Sequence, residues 1–168
     1  MTNTTRVLFV CLGNICRSPA AEGVFLHQLE QRGVADRFVV DSAGTGGWHV
    51  GQRADARMRA AAERRGITLS SRARQLELGD IHRFDHILAM DDNNLTAVQA
   101  LARQAGTPHD QAQIEAMTRY CRRHRGTSEV PDPYYGGEQG FDHVLDLLDD
   151  ACAGLLETLL RDNLLRDP

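Results

Sequence analysis

Short apolar runs alternate along this chain with longer stretches in which apolar residues recur every three or four positions. Val7-Leu8-Phe9-Val10 has no polar interruption, so Arg6–Val10 is predicted as a strand buried on both faces. Ser18-Pro19 then opens a helix to about Arg32, with Ala21, Val24, Phe25 and Leu29 on one face. Phe38–Asp41 reads as a second strand, and Ala54–Arg65 as a helix that stops at Gly66. His86–Met90 is a third buried strand. Asp91 to about Gln104 follows as a helix, with Leu95, Val98, Leu101 and Ala102 inward. Gln113–Met117 is a short fourth strand, and Gly140–Arg161 a last helix whose stripe is Phe141, Val144, Leu148, Cys152, Leu155 and Leu159. Strands alternating with helices predict an α/β protein, a parallel sheet covered on both faces. Ligands of such sheets bind beyond the carboxyl ends of the strands. Cys11, Ser42 and Asp91 each follow a strand and are expected on that rim.

Composition narrows the picture without changing it. With 168 residues, the chain is expected to be a single domain over positions 1–168, large enough for its own core. No apolar run approaches a membrane span. Residues 7–12 are too short for a secretion leader, and no small-residue cleavage site follows, so a cytoplasmic location is expected. A net charge of −4 without a long basic run argues against nucleic acid as a partner. Arg122-Arg123-His124-Arg125 reads as a solvated helix end. The four cysteines, at 11, 16, 121 and 152, form no repeated Cys-x2-Cys pair, so no zinc site is expected. Cys121 and Cys152 fall in helical patterns and are expected to be buried and inert.

Candidate chemistry begins where the first strand ends, at Cys11-Leu12-Gly13-Asn14-Ile15-Cys16-Arg17-Ser18. A loop curling at a helix N-terminus gathers free backbone N–H groups and the positive end of the helix dipole at one point. A phosphoryl group fits that point, and Arg17 can grip two of its oxygens in a bidentate fork. The same field favours the thiolate of Cys11. Gly13 and Asn14 are the residue types that accept a left-handed turn most easily. A turn that binds an anion without chemistry fits the spacing as well.

A second segment tips the balance towards catalysis. In Val130-Pro131-Asp132-Pro133-Tyr134-Tyr135-Gly136-Gly137 the two prolines hold Asp132 in an extended conformation. A thiolate that displaces a phosphate ester needs an acid to protonate the departing oxygen, and Asp132 is the candidate. Ser18 either donates to the Cys11 thiolate or caps the first helix, and Asp91 either supports the site residues from behind or, the favoured reading, caps its own helix. Trp48, Tyr134 and Tyr135 lie beside Gly-rich or Pro-rich loops and are expected as walls of a substrate cleft, with Leu12 and Ile15 at its mouth.

Both motifs together resemble those of the low-molecular-weight protein tyrosine phosphatases. Ser42-Ala43-Gly44, Trp48, Ala73-Arg74-Gln75 and Met90-Asp91 extend the likeness over essentially the whole chain. The resemblance implies a three-layer fold whose four-stranded parallel sheet runs in the order 2-1-3-4. It implies Cys11 as nucleophile, Arg17 as phosphate ligand and Asp132 as general acid and base, with no metal and no cofactor. It also implies that Ser42 bonds to Asn14, and that Cys16 protects Cys11 through a reversible disulfide. Many members carry a histidine where this chain has Ser71. The implied partners are tyrosine-phosphorylated proteins, small aryl phosphates and phosphate-like anions; a monomer is the default.

Related activities fit less well. Arsenate reductases of this fold need further cysteines near the middle of the chain, and none lies between Cys16 and Cys121. Protein-arginine phosphatases carry threonine at the position of Ile15 and lack the double tyrosine. A pure binding module needs neither a nucleophile nor an acid.

Overall fold

The structure is a computed structural model that describes residues 4–106 and 108–166. The first apolar run forms the central strand β1, Thr5–Cys11. Alternate side chains of a strand face opposite ways, so Val7 and Phe9 enter one core while Leu8 and Val10 enter the other. Strands β2 (Phe38–Gly44) and β3 (His86–Ala89) flank β1, and β4 (Gln113–Ala116) lies outside β3. All pairings are parallel and the order is β2-β1-β3-β4, as expected.

Helices α1 (Arg17–Gln31), α2 (Ala56–Glu63) and α5 (Glu138–Arg166) cover the face that receives Val7 and Phe9. The short α3 (Asp80–Arg83) and α4 (Asp92–Ala105) cover the other. The predicted stripes of α1 and α5 are buried throughout. Phe25 of α1 meets Phe9 and Phe38 edge-on, each at 5.7 Å, which joins helix to sheet. Among the described residues no helix is long and apolar enough to cross a membrane.

The boundaries differ where pairing overrides pattern. β2 runs on through Asp41 and Ser42 to Gly44 because Cys11 pairs with Gly44 at the end of β1. α2 starts two residues later than predicted, since Asp55 accepts from the Arg57 amide and caps it. Cys121 does not lie in an α-helix. It follows a 3-10 turn, Met117–Tyr120, and is half-buried, and burial pushes its thiol up to about 11. The basic patch is no helix end either. The backbone N–H groups of Arg122, Arg123 and His124 converge on Asp150, at 2.9–3.2 Å. Burial alone would raise that carboxyl, but these amides hold it down at about 2.

Candidate active site

Between β1 and α1 the chain turns sharply enough to bring residue 18 back onto residue 11. Asn14 makes the turn at φ 58°, the one positive-φ non-glycine residue among those described. Its short amide tolerates that conformation and is held at both ends. Asn14 Oδ1 accepts from the Arg74 amide at 3.0 Å, while Nδ2 donates to Ser18 Oγ at 2.7 Å and Ser42 Oγ at 3.0 Å. Each serine therefore accepts from Asn14 and has one hydrogen left to give. Ser42 directs its hydrogen to Glu22 Oε1 at 2.6 Å. Ser18 Oγ lies 2.9 Å from Cys11 Sγ and 3.5 Å from Ala43 O, so its hydrogen is best placed on the sulfur. Cys16 occupies the helix cap position, which leaves Ser18 inside α1 rather than capping it. Gly44 closes the assembly from the sheet side; a Cβ there would sit 2.8 Å from Leu12 O.

Arg17 is almost wholly buried, with 3% of its side chain exposed. Its Nη1 donates to Asp91 Oδ2 at 2.6 Å and to the Val130 carbonyl at 3.0 Å. Asp91 uses its other oxygen, Oδ1, to accept from the Asn94 amide at 2.8 Å. The same carboxylate thus caps α4 and orients Arg17, whereas the sequence pointed foremost to the cap. Arg17 Nη2 lies 3.8 Å from Asp132 Oδ2. Asp132 itself is 42% exposed. Its Oδ1 accepts from the Tyr134 amide at 3.1 Å, a local turn that aims the carboxyl group.

A cleft of about 410 Å³ opens above Cys11 and Arg17, with Asp132 at one side and Trp48, Tyr134 and Tyr135 among its walls. Trp48 is 71% exposed and folds back over Gly46, where a Cβ would collide with the indole. Tyr135 stands edge-on to Tyr134 at 4.9 Å and is 95% exposed. Leu12 sits at the mouth as expected. Ile15 does not simply rim it: the side chain lines the cleft yet is only 8% exposed and packs into the α1 core. Cys16 lines the cleft with Cys11, and burial, then the charges of Asp55, Cys11 and Asp132, push its thiol up to about 12. Among the described residues no cluster of three or more His, Cys, Asp or Glu could hold a metal ion. A second depression of about 430 Å³ beside β4 is lined by groups already paired with one another, such as Glu115 with Tyr120 and Arg119.

Residues 6–164 match the family model for low molecular weight phosphotyrosine protein phosphatases. The chain belongs to that family. A putative low molecular weight protein-tyrosine-phosphatase of Synechocystis is 47% identical over 92% of this chain and 96% of its own length. The protein tyrosine phosphatase of Entamoeba histolytica superposes with a TM-score of 0.89 at 41% identity, covering 95% of this chain and 99% of that one. A Drosophila arginine phosphatase also superposes, at TM-score 0.85 and 32% identity, over 91% of this chain and 96% of its own.

Several side chains of this phosphatase-family site were not singled out from sequence. Glu22 ends the chain of hydroxyls, and burial raises its carboxyl above the ordinary range. Arg74, named from sequence only within the family-like stretch Ala73-Arg74-Gln75, supports Asn14 through its amide, while its guanidinium binds Asp41 and the buried Asp80. His49 stands beside Trp48 with its ring over Gly13 and its Nδ1 3.1 Å from Gln52 Oε1. Asp55 and Arg57 join α2 to the acid segment. Only the last pair has a local signal: an acidic cap followed two residues later by arginine at a helix start.

Proposed function

We propose that the protein hydrolyses phosphotyrosine esters through a cysteinyl-phosphate intermediate, without a metal or cofactor. The observation that carries this reading is the convergence of Cys11, buried Arg17 and Asp132 on one aromatic-walled cleft. Cys11 Sγ attacks phosphorus as a thiolate, stabilised by the Ser18 hydroxyl and the loop amides. The bond from phosphorus to the tyrosyl oxygen breaks, and Asp132 delivers its proton to that oxygen. Arg17 and the backbone N–H groups hold the equatorial oxygens as charge spreads over them. Asp91 and the Val130 carbonyl engage Nη1, which fixes the plane of the guanidinium before substrate arrives.

In the second step Asp132, now a carboxylate, takes a proton from the water that attacks the cysteinyl phosphate. Inorganic phosphate departs and the thiolate is restored. Trp48 and Tyr134 flank the substrate ring, and a side chain shorter than tyrosine does not reach Cys11 through such a cleft. Cys16 acts as redox partner: peroxide converts the Cys11 thiolate to a sulfenic acid, and the Cys16 thiol condenses with it, releasing water and forming a disulfide.

The fold alone does not choose between aryl and guanidinium phosphates, since an arginine phosphatase shares it. Ile15 favours the aryl ester, because an apolar side chain on the cleft wall desolvates a phosphoarginine without offering a partner. The test is kcat/KM for phosphotyrosine and phosphoarginine, measured without added metal in wild type and Ile15→Thr. Wild type should prefer phosphotyrosine, and the substitution should narrow the preference. A wild type that prefers phosphoarginine would overturn the reading.

A further inference from the structure

The general acid stands on a loop with little burial of its own, yet it must meet a leaving oxygen held by a rigid pocket elsewhere. A chain of contacts connects the two. The Asp55 amide donates to the Ile15 carbonyl at 2.8 Å, which anchors the start of α2 to the phosphate loop. The Asp55 carboxylate accepts a fork from Arg57, Nε at 3.1 Å and Nη2 at 2.9 Å. Arg57 Nη2 also donates to the Tyr134 carbonyl at 3.0 Å. The Tyr134 amide in turn donates to Asp132 Oδ1 at 3.1 Å. Residue 134 is thus held at its carbonyl by Arg57 while its amide holds the acid.

Ring contacts reinforce the same point. The Arg57 guanidinium carbon lies 5.6 Å from the centre of the Tyr134 ring and 4.7 Å from that of Phe141 in α5. One planar cation therefore touches the start of α2, the acid segment and the first turns of α5. Hydrogen bonding to Arg57 lowers the Asp55 carboxyl below its ordinary range, so the fork is ionic at neutral pH. The opposite end of the acid segment has a separate anchor, where the Val130 amide donates to Met90 O at 2.8 Å and its carbonyl accepts from Arg17. Between Val130 and Tyr134 lies Asp132, with one side tied to Met90, just beyond β3, and the other to Arg57.

We propose that Arg57 is a positioning residue for proton transfer: through the Asp55 fork and the Tyr134 carbonyl it sets where Asp132 stands relative to the phosphate loop. Arg57 touches no reacting atom. The proposal rests on Asp132 being the proton donor, and its signature follows from that role. A misplaced acid matters most when the leaving oxygen is strongly basic and hardly at all when it departs unaided. A residue that merely stabilises the fold would slow every substrate alike. A lysine at position 57 keeps a cation near the two rings but cannot span carboxylate and carbonyl in one plane.

The experiment compares kcat/KM for phenyl phosphate and for dinitrophenyl phosphate, whose leaving group needs no proton, in wild type, Arg57→Ala, Arg57→Lys, Asp55→Asn and Asp132→Ala. Arg57→Ala should lose about tenfold or more with phenyl phosphate and less than about threefold with the activated ester. Arg57→Lys and Asp55→Asn should discriminate in the same direction with smaller losses. An equal loss on both esters in the Arg57 variants, while Asp132→Ala discriminates between them, would overturn the proposal and leave the acid assignment standing. An equal loss in Asp132→Ala would overturn that assignment, and the proposal with it. Should Arg57→Ala fail to fold, the comparison of Arg57→Lys with wild type decides in the same way.

Discussion

The phosphate loop and the acid segment meet over one cleft but are held in opposite ways. Cys11, Asn14, Arg17 and Ser18 are buried, and each polar side chain among them is bonded to residues on other elements. Asp132 is 42% exposed and is aimed by one amide of its own segment. Under the proposed mechanism the contrast follows from the work required of each. Dipoles that stabilise a charged transition state help only if they are already oriented, so the cradle is locked from several sides. A proton donor must approach and leave a substrate that enters past it, so its segment is anchored at the ends and left open between them. Rigidity is concentrated where the proposed mechanism develops charge.

The largest break in this comparison comes from the cradle. Cys11→Ser should abolish turnover while phosphate and vanadate still bind, because the hydroxyl is a far weaker nucleophile but the amides remain. Calorimetry with either anion, beside an activity assay, checks both halves. Asp132→Ala should lose about 10²–10⁴ in rate on a poor leaving group. Arg17→Lys should lose about 10²–10³ on every ester, activated or not, because an ammonium cannot serve Asp91, Val130 and substrate together. Leaving-group plots for the two variants should therefore differ in slope; parallel plots would erase the proposed division of labour.

Smaller changes sharpen the account of the cradle. Asn14→Gly keeps access to the left-handed turn but removes three hydrogen bonds, whereas Asn14→Ala also strains the backbone. Both should slow turnover, and the alanine variant should be about 1 kcal/mol less stable than the glycine variant in urea. If the two are equally stable, the φ of residue 14 carries no cost.

The smallest effect on activity belongs to Asp150, on α5 outside the cleft. Its carboxyl is held at about 2, below the ordinary value of 3.8, by the three amides that offset its burial. A depressed folded-state value means the ionised form is preferred in the fold. Its contribution, about 2 kcal/mol, is present above pH ~4 and is lost as pH falls towards pH ~2. Asp150→Asn should therefore be destabilised by about that amount at neutral pH, with the gap to wild type closing in acid and kcat unchanged. Denaturant titrations at neutral and acidic pH measure it.

Much of the fold was legible because it depends on local periodicity. The run Val7–Val10 could only be a buried strand, and the stripes of α1 and α5 follow a 3.6-residue repeat that needs no knowledge of partners. Strand order came from resemblance, and the last three residues of β2 were not legible because polar Ser42 follows polar Asp41, whereas pairing with β1 carries the strand on to Gly44. Cys121 and the Arg122–Arg125 patch were misplaced for a related reason. The amides of Arg122, Arg123 and His124, directly after Cys121, turn towards Asp150, more than twenty residues away in sequence, rather than into a helix.

By itself the sequence determined the chemistry-bearing types and their local geometry: a cysteine and an arginine on one loop, a residue suited to a left-handed turn between them, and an acid pinned by two prolines. Each of these is a property of a few consecutive residues. Tertiary structure decided which side chains hold them. Asp91 fixes Arg17, Glu22 receives the hydrogen of Ser42, and Arg57 reaches Tyr134, across separations of 74, 20 and 77 residues. No spacing rule predicts such pairs, because each partner is also a plausible surface charge or helix cap until the sheet brings the strand ends together. For Arg17 and Ser42 burial then makes an unpaired polar group too costly, and the surviving partner is the one within reach.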